Sequence, residues 1–461
     1  MHFLTSPRLG TRFWRNHSRT NGSKTPKQRN LKTFGNLGRY SGNVLAAKDL
    51  SKLPKFIPEN FNLTVRGNGQ SYGPVSINQY PGVTITQRSN DSKLALDEVT
   101  SILTVSANIS VKKVNEFLEK HGFTLPVMPG APLATIGGCI ASDVHGKNGF
   151  SAGSFGDHLV SLVISTQSEI KAITLLENED LFKKTIGGFG LTGMIIEAKI
   201  RVKKKTGRSL CLQTIKSITI EELISNLVDV SQAHEYTGAW FNVNGKTLDF
   251  KGIVFYSDWK DDQPKVRLHI PNWVMRIAFL ILGKKYFRKG AIRFINFIQW
   301  RRRHDATRLF SREIYFPAFY LPNWNKIFGN TFIERQFLVS LRDGPKVLKE
   351  LSDLFRHFKV ETPFGGLKIF KGERIGYMSF PNEGLSITVQ FSSIEEELNL
   401  EITKLIEENN SSEYIAKMQI SSSSFPSGYP NYPIFRELFD LSRFRSTMLT
   451  WLIQEADKKV F

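Results

Sequence analysis

Cysteine is scarce in this sequence of 461 residues, which contains only Cys139 and Cys211. The two residues lie far apart, and neither belongs to a C-x-x-C pair or to a Cys/His spacing typical of zinc ligands. The sequence therefore excludes a disulfide framework and offers no pattern for a structural metal site. We expect a cytoplasmic protein of a reducing compartment, with no bound metal.

Long apolar runs are also missing. The longest candidate is WVMRIAFLIL (residues 273–282), which Arg276 interrupts and which is much shorter than the run of about 20 residues that a membrane-spanning helix needs. Residues 1–31 contain no apolar core of a secretory signal, although they are rich in Arg, Ser and Thr and contain no acid. Two interpretations of this segment stay open, a disordered basic tail and a targeting segment.

Acidic residues are absent from one stretch and nearly absent from another. Residues 1–48 contain ten Lys or Arg and no acid, and residues 264–312 contain thirteen Lys or Arg against the single Asp305. These segments account for the formal net charge of +20, and the rest of the chain is close to neutral. Nucleic-acid binding is not expected, because no zinc finger, helix-turn-helix or RNP-like aromatic motif accompanies the charge.

The second basic segment has the pattern of an amphipathic helix. Within KKYFRKGAIRFINFIQWRRR (residues 284–303), apolar side chains recur at helical spacing at Phe287, Ala291, Phe294 and Ile298. Such a helix suits the headgroup region of an anionic membrane, with its apolar face down. The alternative is a basic helix that covers the core and keeps its charges in solvent.

The order of the elements predicts an α+β protein. Between residues 32 and 202, short β-like runs such as GVTITQ and SILTVSA alternate with helix-like ones such as SVKKVNEFLEKHG. The polar, basic VKKKTGRS (residues 202–209) is a place where a domain can end. After it, a helical run (residues 219–235) is followed by β-like runs, and these indicate a second α+β domain.

Three glycine-rich segments lie in the first part of the chain, namely VRGNGQSYG (residues 65–73), MPGAPLATIGGCIASDVHGKNG (residues 128–149) and TIGGFGLTG (residues 185–193). The first is not a dinucleotide-binding G-x-G-x-x-G loop, because no helix start follows it directly. Alone, it is as typical of a structural turn as of a phosphate-binding nest. Close approach of the backbone to a long, flat, phosphate-bearing ligand explains all three together.

Two other interpretations of this region are disfavoured. GFSAG (residues 149–153) has the form of a G-x-S-x-G nucleophile elbow, but polar DVHGKN and SFGDH flank it instead of a buried strand and a helix. We therefore do not expect Ser151 to be a nucleophile. His145 and His158 have no third ligand at a recognisable spacing, so hydrogen-bonding or core roles are favoured over metal binding.

The order of the glycine segments resembles that of the FAD-linked oxidases of the vanillyl-alcohol oxidase type, and DVHGKNGFSAGSFG is most similar to the decaprenylphosphoryl-β-D-ribose 2-oxidases. YTGAWF, FIERQF, LKIFKGERIGYMSFPNEGLSITVQF and YIAK also have counterparts at similar spacing. The resemblance implies a two-subdomain PCMH-type FAD-binding domain with an inserted α+β substrate (cap) domain on an antiparallel sheet. The implied boundaries are a tail at 1–31, the FAD domain at 32–206, the cap at 207–412 and a returning segment at 413–461.

The resemblance also implies which residues hold the cofactor. They are Arg66, Gly67, Asn68, Gly69, Gln70, Ser71, Tyr72, Gly73, Gly130, Thr135, Ile136, Gly137, Gly138, Ser142, Asp143, Val144, His145, Ile195 and Tyr414. Many relatives carry a histidine at the position of Gln70 and bond it covalently to the flavin. Because glutamine cannot form that bond, the resemblance implies non-covalent FAD.

The implied catalytic residues are Tyr414 and Lys417 of YIAK, three positions apart and on one side if the stretch is helical. The resemblance gives Lys417 the role of charge stabiliser or proton acceptor, since flavin oxidation of an alcohol needs both functions. The implied substrate residues are Lys147, Trp240, Tyr315, Gln336, Lys368 and Thr388. Two positions depart from the pattern: Thr388 stands where mycobacterial members have a cysteine, and Gln390 replaces an acid.

The implied reaction is oxidation of the 2-hydroxyl of a polyprenyl-phosphate-linked ribose to the 2-keto sugar. It would be the first half of an epimerisation to arabinose in the supply of cell envelope polysaccharide. A separate NAD(P)H-dependent short-chain reductase would complete it, and the oxidase would lie at the inner face of the membrane. The alternative is a soluble sugar, alditol or aldonolactone oxidase with the same flavin site.

Overall fold

The computed structural model describes residues 26–35, 40–48, 50, 57, 59–79, 81–87, 93–166, 168–243, 250–263, 277–278, 281, 284–301, 307–309, 314–315, 332–360, 365–418 and 428–460. Its strands are β1 (Lys27–Leu31), β2 (Tyr40–Ala47), β3 (Asn62–Arg66), β4 (Gly82–Gln87), β5 (Leu94–Asp97), β6 (Ile102–Ser106), β7 (Phe123–Thr124), β8 (Leu159–Ser165), β9 (Ile170–Ile173), β10 (Met194–Arg201), β11 (Lys203–Lys204), β12 (Ser209–Ser217), β13 (Tyr236–Val243), β14 (Phe250–Lys260), β15 (Thr307–Leu309), β16 (Ile333–Val339), β17 (Gly365–Phe370), β18 (Gly384–Phe391) and β19 (Ser412–Glu413).

The helices are α1 (Val111–Lys120), α2 (Ile136–Ala141), α3 (Gly149–Ala152), α4 (Glu179–Thr185), α5 (Ile220–Ala233), α6 (Lys285–Arg301), α7 (Gly344–His357), α8 (Glu396–Glu408), α9 (Tyr432–Leu441) and α10 (Thr447–Val460). Among the described residues, no helix is both long enough and apolar enough to cross a membrane.

The first sheet joins the N-terminal strands in the order β1-β2-β4-β3. β2, β4 and β3 run parallel, and β1 pairs antiparallel with β2 over residues 27–31. This pairing corrects the prediction of a tail over residues 1–31, because backbone hydrogen bonds tie its last five residues into a sheet. Residues 1–25 of that predicted tail lie outside the described residues.

The second sheet is antiparallel, in the order β5-β6-β10-β8-β9, and helix α1 packs on it. The helix begins after Ser110 because the side chain of this residue accepts a hydrogen bond from the backbone N–H of Lys113. Val111, Val114 and Leu118 then recur on one face and are buried in the core of this sheet. The two sheets correspond to the two subdomains that the resemblance implies.

The third large sheet has eight strands in the order β15-β12-β14-β13-β17-β18-β16-β19. Strand β18 alternates between apolar and polar residues, LSITVQF over residues 385–391. Alternate residues of a strand point to opposite faces. Leu385, Ile387 and Val389 therefore lie on one face, where α5, α7 and α8 cover them. The polar residues lie on the other face, and this face is buried as well.

The C-terminal segment connects the eight-stranded sheet to the first glycine segment. Strand β19 pairs with β16, and directly after it the backbone N–H of Tyr72 donates to the carbonyl of Ala416. Further on, the N–H of Leu63 on β3 donates to the carbonyl of Arg443. Helices α9 and α10 pack with Val75, two residues after the first glycine segment, and with Phe189 and Leu191 of the third. The chain thus leaves the eight-stranded sheet and ends against the N-terminal sheets.

Candidate active site

Four of the predicted substrate residues lie on one face of adjacent strands. Trp240, Lys368, Thr388 and Gln336 stand on β13, β17, β18 and β16, which are neighbours in that order. Trp240 and Thr388 both pair with Gly366, and Thr388 also pairs with Gln336. Directly paired residues share a face, and Lys368 shares it because it lies two positions from Gly366. The alternation of the strands therefore gathers these four side chains into one polar patch.

His145 covers this patch from the second glycine segment. Its Nε2 lies 3.1 Å from the amide nitrogen of Gln336, and its Nδ1 lies 3.4 Å from the Nζ of Lys368. Burial lowers the pKa of His145 well below its usual value, and the charges of Lys368 and Lys417 lower it further. The imidazole is therefore neutral, so one of its nitrogens can accept a proton. The residue was predicted to line the cofactor, and the structure places it in contact with predicted substrate residues.

The surroundings of Lys368 destabilise its charged ammonium form. Burial lowers its pKa to about 7, and the nearby charges of Lys417 and Lys147 contribute to this shift. Glu334 opposes the shift, because its carboxylate favours the protonated lysine. Lys368 therefore changes its charge near neutral pH, unlike an ordinary lysine.

Lys417 forms an ion pair with Glu334 across the boundary between the C-terminal segment and the sheet. Its Nζ contacts one carboxylate oxygen, and the amide of Gln390 donates to the other. The same Nζ stands 5.4 Å from the centre of the Tyr72 ring, a cation–π contact with the first glycine segment. The hydroxyl of Tyr72 is also hydrogen-bonded to Glu334. Lys417 is thus held between the polar patch and the predicted flavin loop.

Tyr414 precedes a single 3-10 turn, Ile415–Lys417, and does not stand in an α-helix. Its hydroxyl donates to the carbonyl of Ser142 over 3.0 Å, and its ring stacks on that of Phe380 with centroids 4.9 Å apart. Burial raises the pKa of Tyr414 well above its usual value, so the phenol stays protonated. Its proton is engaged with a backbone oxygen, and the ring lies 5.5 Å from the ring of His145.

Lys147 is hydrogen-bonded to the residue that precedes Tyr315. The Nζ of Lys147 donates to the carbonyl of Ile314, and burial lowers the pKa of this lysine to about 8. The hydroxyl of Tyr315 lies 3.0 Å from that of Tyr236, and its ring is buried in the core of the second sheet. The structure thus brings Lys147 within electrostatic range of the patch, whereas the hydroxyl of Tyr315 is engaged with the core.

The first glycine segment packs on the start of α2. A Cβ at Gly67 would lie 2.3 Å from Oγ1 of Thr135, so only glycine permits this approach. Thr135 itself caps α2, because its side chain accepts a hydrogen bond from the N–H of Gly138. The side-chain amide of Asn68 donates to the carbonyl of Leu133 over 2.9 Å. The two segments predicted to hold FAD are therefore joined edge to edge.

Three of the remaining predicted cofactor residues, Arg66, Gln70 and Asp143, make hydrogen bonds within the protein. Arg66 is buried and donates to Ser76 over 3.2 Å, while Gln70 donates to the carbonyl of Asn68 over the same distance. Asp143 has a φ of +37° and accepts a hydrogen bond from the N–H of Gly156 over 2.8 Å, and burial raises its pKa to about 6. The cofactor role stays a prediction for the others, all of which lie within the described residues: Gly69, Ser71, Gly73, Gly130, Ile136, Gly137, Ser142, Val144 and Ile195.

Other glycines of these segments serve packing within the protein, which corrects the single explanation by a flat ligand. A Cβ at Gly149 would lie 2.2 Å from the Phe370 ring, and one at Gly193 would lie 2.5 Å from the carbonyl oxygen of Ser165. Gly187 has a φ of +69°, and its N–H donates to the carbonyl of Ile140. The third segment therefore supports α2 from behind.

The described residues give no support to Ser151 as a nucleophile or to His145 and His158 as metal ligands. The hydroxyl of Ser151 donates to the carbonyl of Glu235 over 3.1 Å, and His158 pairs with the carbonyl of Ala152 over 2.7 Å. No group of three or more His, Cys, Asp or Glu side chains in the described part of the chain could hold a metal ion. Among the described contacts, the Ser151 hydroxyl thus bonds to backbone carbonyls and to no side-chain base, which a nucleophile needs.

Sequence reasoning missed Glu334 and Ser386. Ser386 accepts a hydrogen bond from the amide of Gln336 over 2.8 Å, and Glu334 holds Lys417. The signal was available, because FIERQF and LSITVQF place Glu334 beside Gln336 and Ser386 beside Thr388 at a period of two. The sequence alone does not show that the polar face of both strands is covered.

Comparison with known proteins supports the assignment of the first two glycine segments to a cofactor. Residues 46–169, which include the first two glycine segments, match a family described as FAD binding domain. Decaprenylphosphoryl-beta-D-ribose oxidase of Mycolicibacterium smegmatis is 28% identical over 352 residues, which cover 71% of this chain and 73% of that protein. The chain is an FAD-dependent oxidoreductase. The predictions of the α+β fold class, the enzyme class and FAD are therefore confirmed.

Two shorter similarities to the oxidoreductase agree with this assignment. D-arabinono-1,4-lactone oxidase of Yarrowia lipolytica is 29% identical over 141 residues, 30% of this chain and 26% of that protein. A D-lactate dehydrogenase of Archaeoglobus fulgidus is 23% identical over 193 residues, 40% of this chain and 43% of that protein. Neither similarity extends over half of the oxidoreductase or of the relative.

The residues present fit FAD. Gly67, Gly130 and Gly138 are exposed, and a Cβ at Gly130 would meet no atom within 4 Å, so open space lies beside the junction of the two loops. Bare backbone of this kind lets a pyrophosphate approach the N–H groups closely. Lys417 supplies positive charge on the side of the patch. The arrangement can hold a flavin between the loops and the polar face of the eight-stranded sheet.

Proposed function

We propose that this oxidoreductase oxidises the 2-hydroxyl of a ribose linked through phosphate to a polyprenyl chain, yielding the 2-keto sugar. The observation that carries the proposal is a cluster of three partly buried lysines, Lys147, Lys368 and Lys417, against which the described contacts place one carboxylate, that of Glu334. Such an excess of positive charge is costly without an anion, and a phosphodiester supplies one. The similarity to the ribose oxidase supports the same substrate class.

The chemistry requires a hydride acceptor and a proton acceptor. FAD held between the glycine segments and the polar face of the sheet would supply the hydride acceptor. The hydroxyl proton needs a neutral base in the pocket, and His145 is held neutral by burial and by the neighbouring lysines. Lys417 stabilises negative charge as it develops, while Gln336 orients the imidazole. Tyr414 holds the second glycine segment through Ser142.

Turnover on polyprenylphosphoryl ribose, compared with free ribose, alditols and aldonolactones, tests the proposal. We expect flavin reduction by the lipid-linked sugar at concentrations where free ribose gives none. Reduction by a lactone or an alditol alone would instead establish the second candidate, a sugar, alditol or aldonolactone oxidase. That candidate is favoured by the similarity to the Yarrowia lactone oxidase.

The charge of Lys368 makes substrate binding depend on pH. Its pKa is lowered to about 7, so the ammonium form is present below that pH and is lost as the pH rises through it. A phosphodiester stays anionic throughout, so the KM should increase about 10-fold between pH 6 and pH 8.5, the value of one charge-assisted hydrogen bond. The dependence of the flavin reduction rate on substrate concentration, followed by stopped-flow absorbance at each pH, measures this change. Lys368→Met should have a high KM that rises less over this range, with the remaining rise due to Lys147, whose pKa is lowered to about 8, whereas Lys349→Met should keep the normal profile.

FAD is proposed to be bound without a covalent link. The side chain of Gln70 is a neutral amide, and it is engaged with the carbonyl of Asn68. Purified protein should be yellow, and acid precipitation should release all of its flavin into the supernatant. Flavin that stays in the pellet would show a covalent attachment elsewhere and refute this part of the proposal.

Helix α6 is proposed as the surface that meets an anionic membrane. Phe287, Phe294 and Ile298 are exposed along one side of it, as the amphipathic pattern predicted. Ala291, predicted on the same side, is instead buried, because the small residue packs inward beside Ile292. Trp300 lies under the amines of Lys216 and Lys251 and fixes the helix to β12 and β14. Exposed aromatic side chains within a basic segment suit anionic headgroups.

Flotation with liposomes tests the membrane proposal. The protein should float with vesicles that contain anionic lipid, and less with neutral vesicles or at high salt. Phe294→Ser combined with Phe297→Ser should abolish flotation, whereas Val99→Ser with Leu176→Ser, two exposed apolar residues elsewhere, should not. Retention of duplex DNA on a filter without flotation would favour a nucleic-acid partner instead.

A partner enzyme completes the proposed reaction sequence. The 2-keto sugar becomes an alcohol of the opposite configuration only if a second catalyst returns a hydride to the other face. An NAD(P)H-dependent short-chain reductase supplies that step, and together the two reactions give the arabino epimer. The proposed location of both steps is the cytoplasmic face of the membrane, where nicotinamide cofactor is available.

A further inference from the structure

Glu334 is a carboxylate at which three parts of the chain meet. Its side chain is 2% exposed, and it stands on the polar face of β16, two positions before Gln336. It contacts the Lys417 ammonium from the C-terminal turn and accepts hydrogen bonds from Tyr72 of the first glycine segment and from Gln390 of β18. No other carboxylate is joined by the described contacts to both the turn and the glycine segment.

Because the carboxylate of Glu334 is buried, its stability depends on its partners. A buried carboxylate is stable only when it is paired and its remaining lone pairs are satisfied. Lys417 supplies the opposite charge, and Tyr72 and Gln390 supply the additional donors. Gln390 stands directly opposite Glu334 in the register of the two strands, so the sheet fixes this donor in place. The carboxylate is thus rigid, whereas a lysine side chain alone has four rotatable bonds.

We propose that Glu334 is a positioning residue that holds the Lys417 ammonium and the Tyr72 hydroxyl in one geometry, and thereby couples the substrate sheet to the flavin loop. This inference rests on the proposed role of Lys417 in flavin reduction. In this role Glu334 does not contact the reacting atoms. Its effect on the reaction passes through Lys417, and its effect on FAD binding passes through Lys417 and Tyr72.

A double-mutant cycle with Glu334→Gln and Lys417→Met tests the proposal. Each variant is reconstituted with FAD, and the FAD dissociation constant and the rate of flavin reduction are measured separately. Glu334→Gln alone should weaken FAD binding about 10-fold and slow reduction about 10-fold to 100-fold, as expected for loss of a hydrogen bond to a charged group. In the Lys417→Met background, the additional effect on reduction should fall below about 3-fold, because interacting residues are not additive.

The control variant is Glu350→Gln, the same chemical change on the exposed side of α7, where the partner is Lys346. It should leave both measurements unchanged. An equal loss of reduction rate in both backgrounds would overturn the proposal, and so would normal FAD binding together with normal reduction in Glu334→Gln. Because FAD binding is measured without substrate, failure of the proposed substrate would not affect that half of the cycle.

A second variant keeps the proposal testable if Glu334→Gln does not fold. Gln390→Met removes one donor to the carboxylate and keeps the ion pair with Lys417. It should weaken FAD binding and slow flavin reduction by about 3-fold to 10-fold each, the value of one neutral donor. An unchanged rate of flavin reduction in this variant would contradict a positioning role for the carboxylate.

Discussion

Lys417→Met is expected to slow flavin reduction by substrate about 100-fold to 1,000-fold, the usual cost of removing one preorganised electrostatic stabiliser from an active site. The ammonium stands between Glu334 and the ring of Tyr72, so it is fixed before substrate arrives. Methionine has a similar length and shape but no charge. Rapid-mixing absorbance of the oxidised flavin in the FAD-reconstituted variant measures the effect, and circular dichroism shows whether the fold is kept.

Lys404→Met is the matched control for this prediction. Lys404 lies on the exposed side of α8 and pairs only with Glu401 of the same helix among the ion pairs of the described residues. The control should reduce its flavin at the normal rate. A rate within about 3-fold of the unmodified protein in Lys417→Met would remove this lysine from the proposed site, since one lost donor costs far more.

Arg335→Met is expected to lower the free energy of unfolding by about 3–5 kcal/mol, because it leaves a buried carboxylate without its partner. The guanidinium of Arg335 makes two hydrogen bonds to Glu413, 2.7 and 2.8 Å long, and both side chains are at most 5% exposed. It also donates to the side chains of Asn399 and Thr403 on α8. This pair lies on the helical face of the sheet, opposite Glu334.

Urea denaturation of the FAD-bound protein measures this loss. The double variant Arg335→Met with Glu413→Leu should recover more than half of it, because no charge is then left buried. Arg356→Met on α7, which removes an exposed pair with Asp353, should change the free energy of unfolding by less than about 1 kcal/mol. A single variant as stable as the double variant would show that burial of an unpaired charge is not the cause.

The buried pair also bears on the active site. Glu413 directly precedes Tyr414, and its carbonyl accepts a hydrogen bond from Tyr429 over 2.8 Å. The backbone N–H of Tyr414 donates to the carbonyl of Gln336. Strand β16 therefore holds the C-terminal turn through Arg335 on one face and presents Glu334 to Lys417 on the other. Loss of the pair should slow flavin reduction as well as lower stability.

Much of this molecule could be predicted from local pattern. The period of two in FIERQF and LSITVQF separates the residues of one face from those of the other, and the separation needs no knowledge of the fold. The glycines at 67 and 73 mark places where backbone approaches closely, and at both positions a Cβ would lie within 2.3 Å of another atom. The match of residues 46–169 to an FAD binding domain agrees with that pattern.

Other features depended on contacts between distant segments. The substrate role of Tyr315 stays a prediction, but the contacts of its hydroxyl with Tyr236 and Thr124 could not be predicted, because only packing of the folded chain decides which core receives the ring. The exposed side of α6 differs from the predicted one at Ala291 for the same kind of reason. Spacing along a helix defines its faces, and only the neighbouring elements decide which face is covered.

The sequence by itself determined that this protein has a glycine-lined cofactor site, a sheet with one polar face and an α+β fold, because each follows from conformational limits and periodicity of neighbouring residues. The tertiary structure alone decided that Glu334, Lys417 and Tyr72 form one cluster and that His145 meets Lys368. Such contacts join residues from separate segments. Only packing of the completed fold brings them within hydrogen-bond distance and removes the water that would otherwise screen their charges.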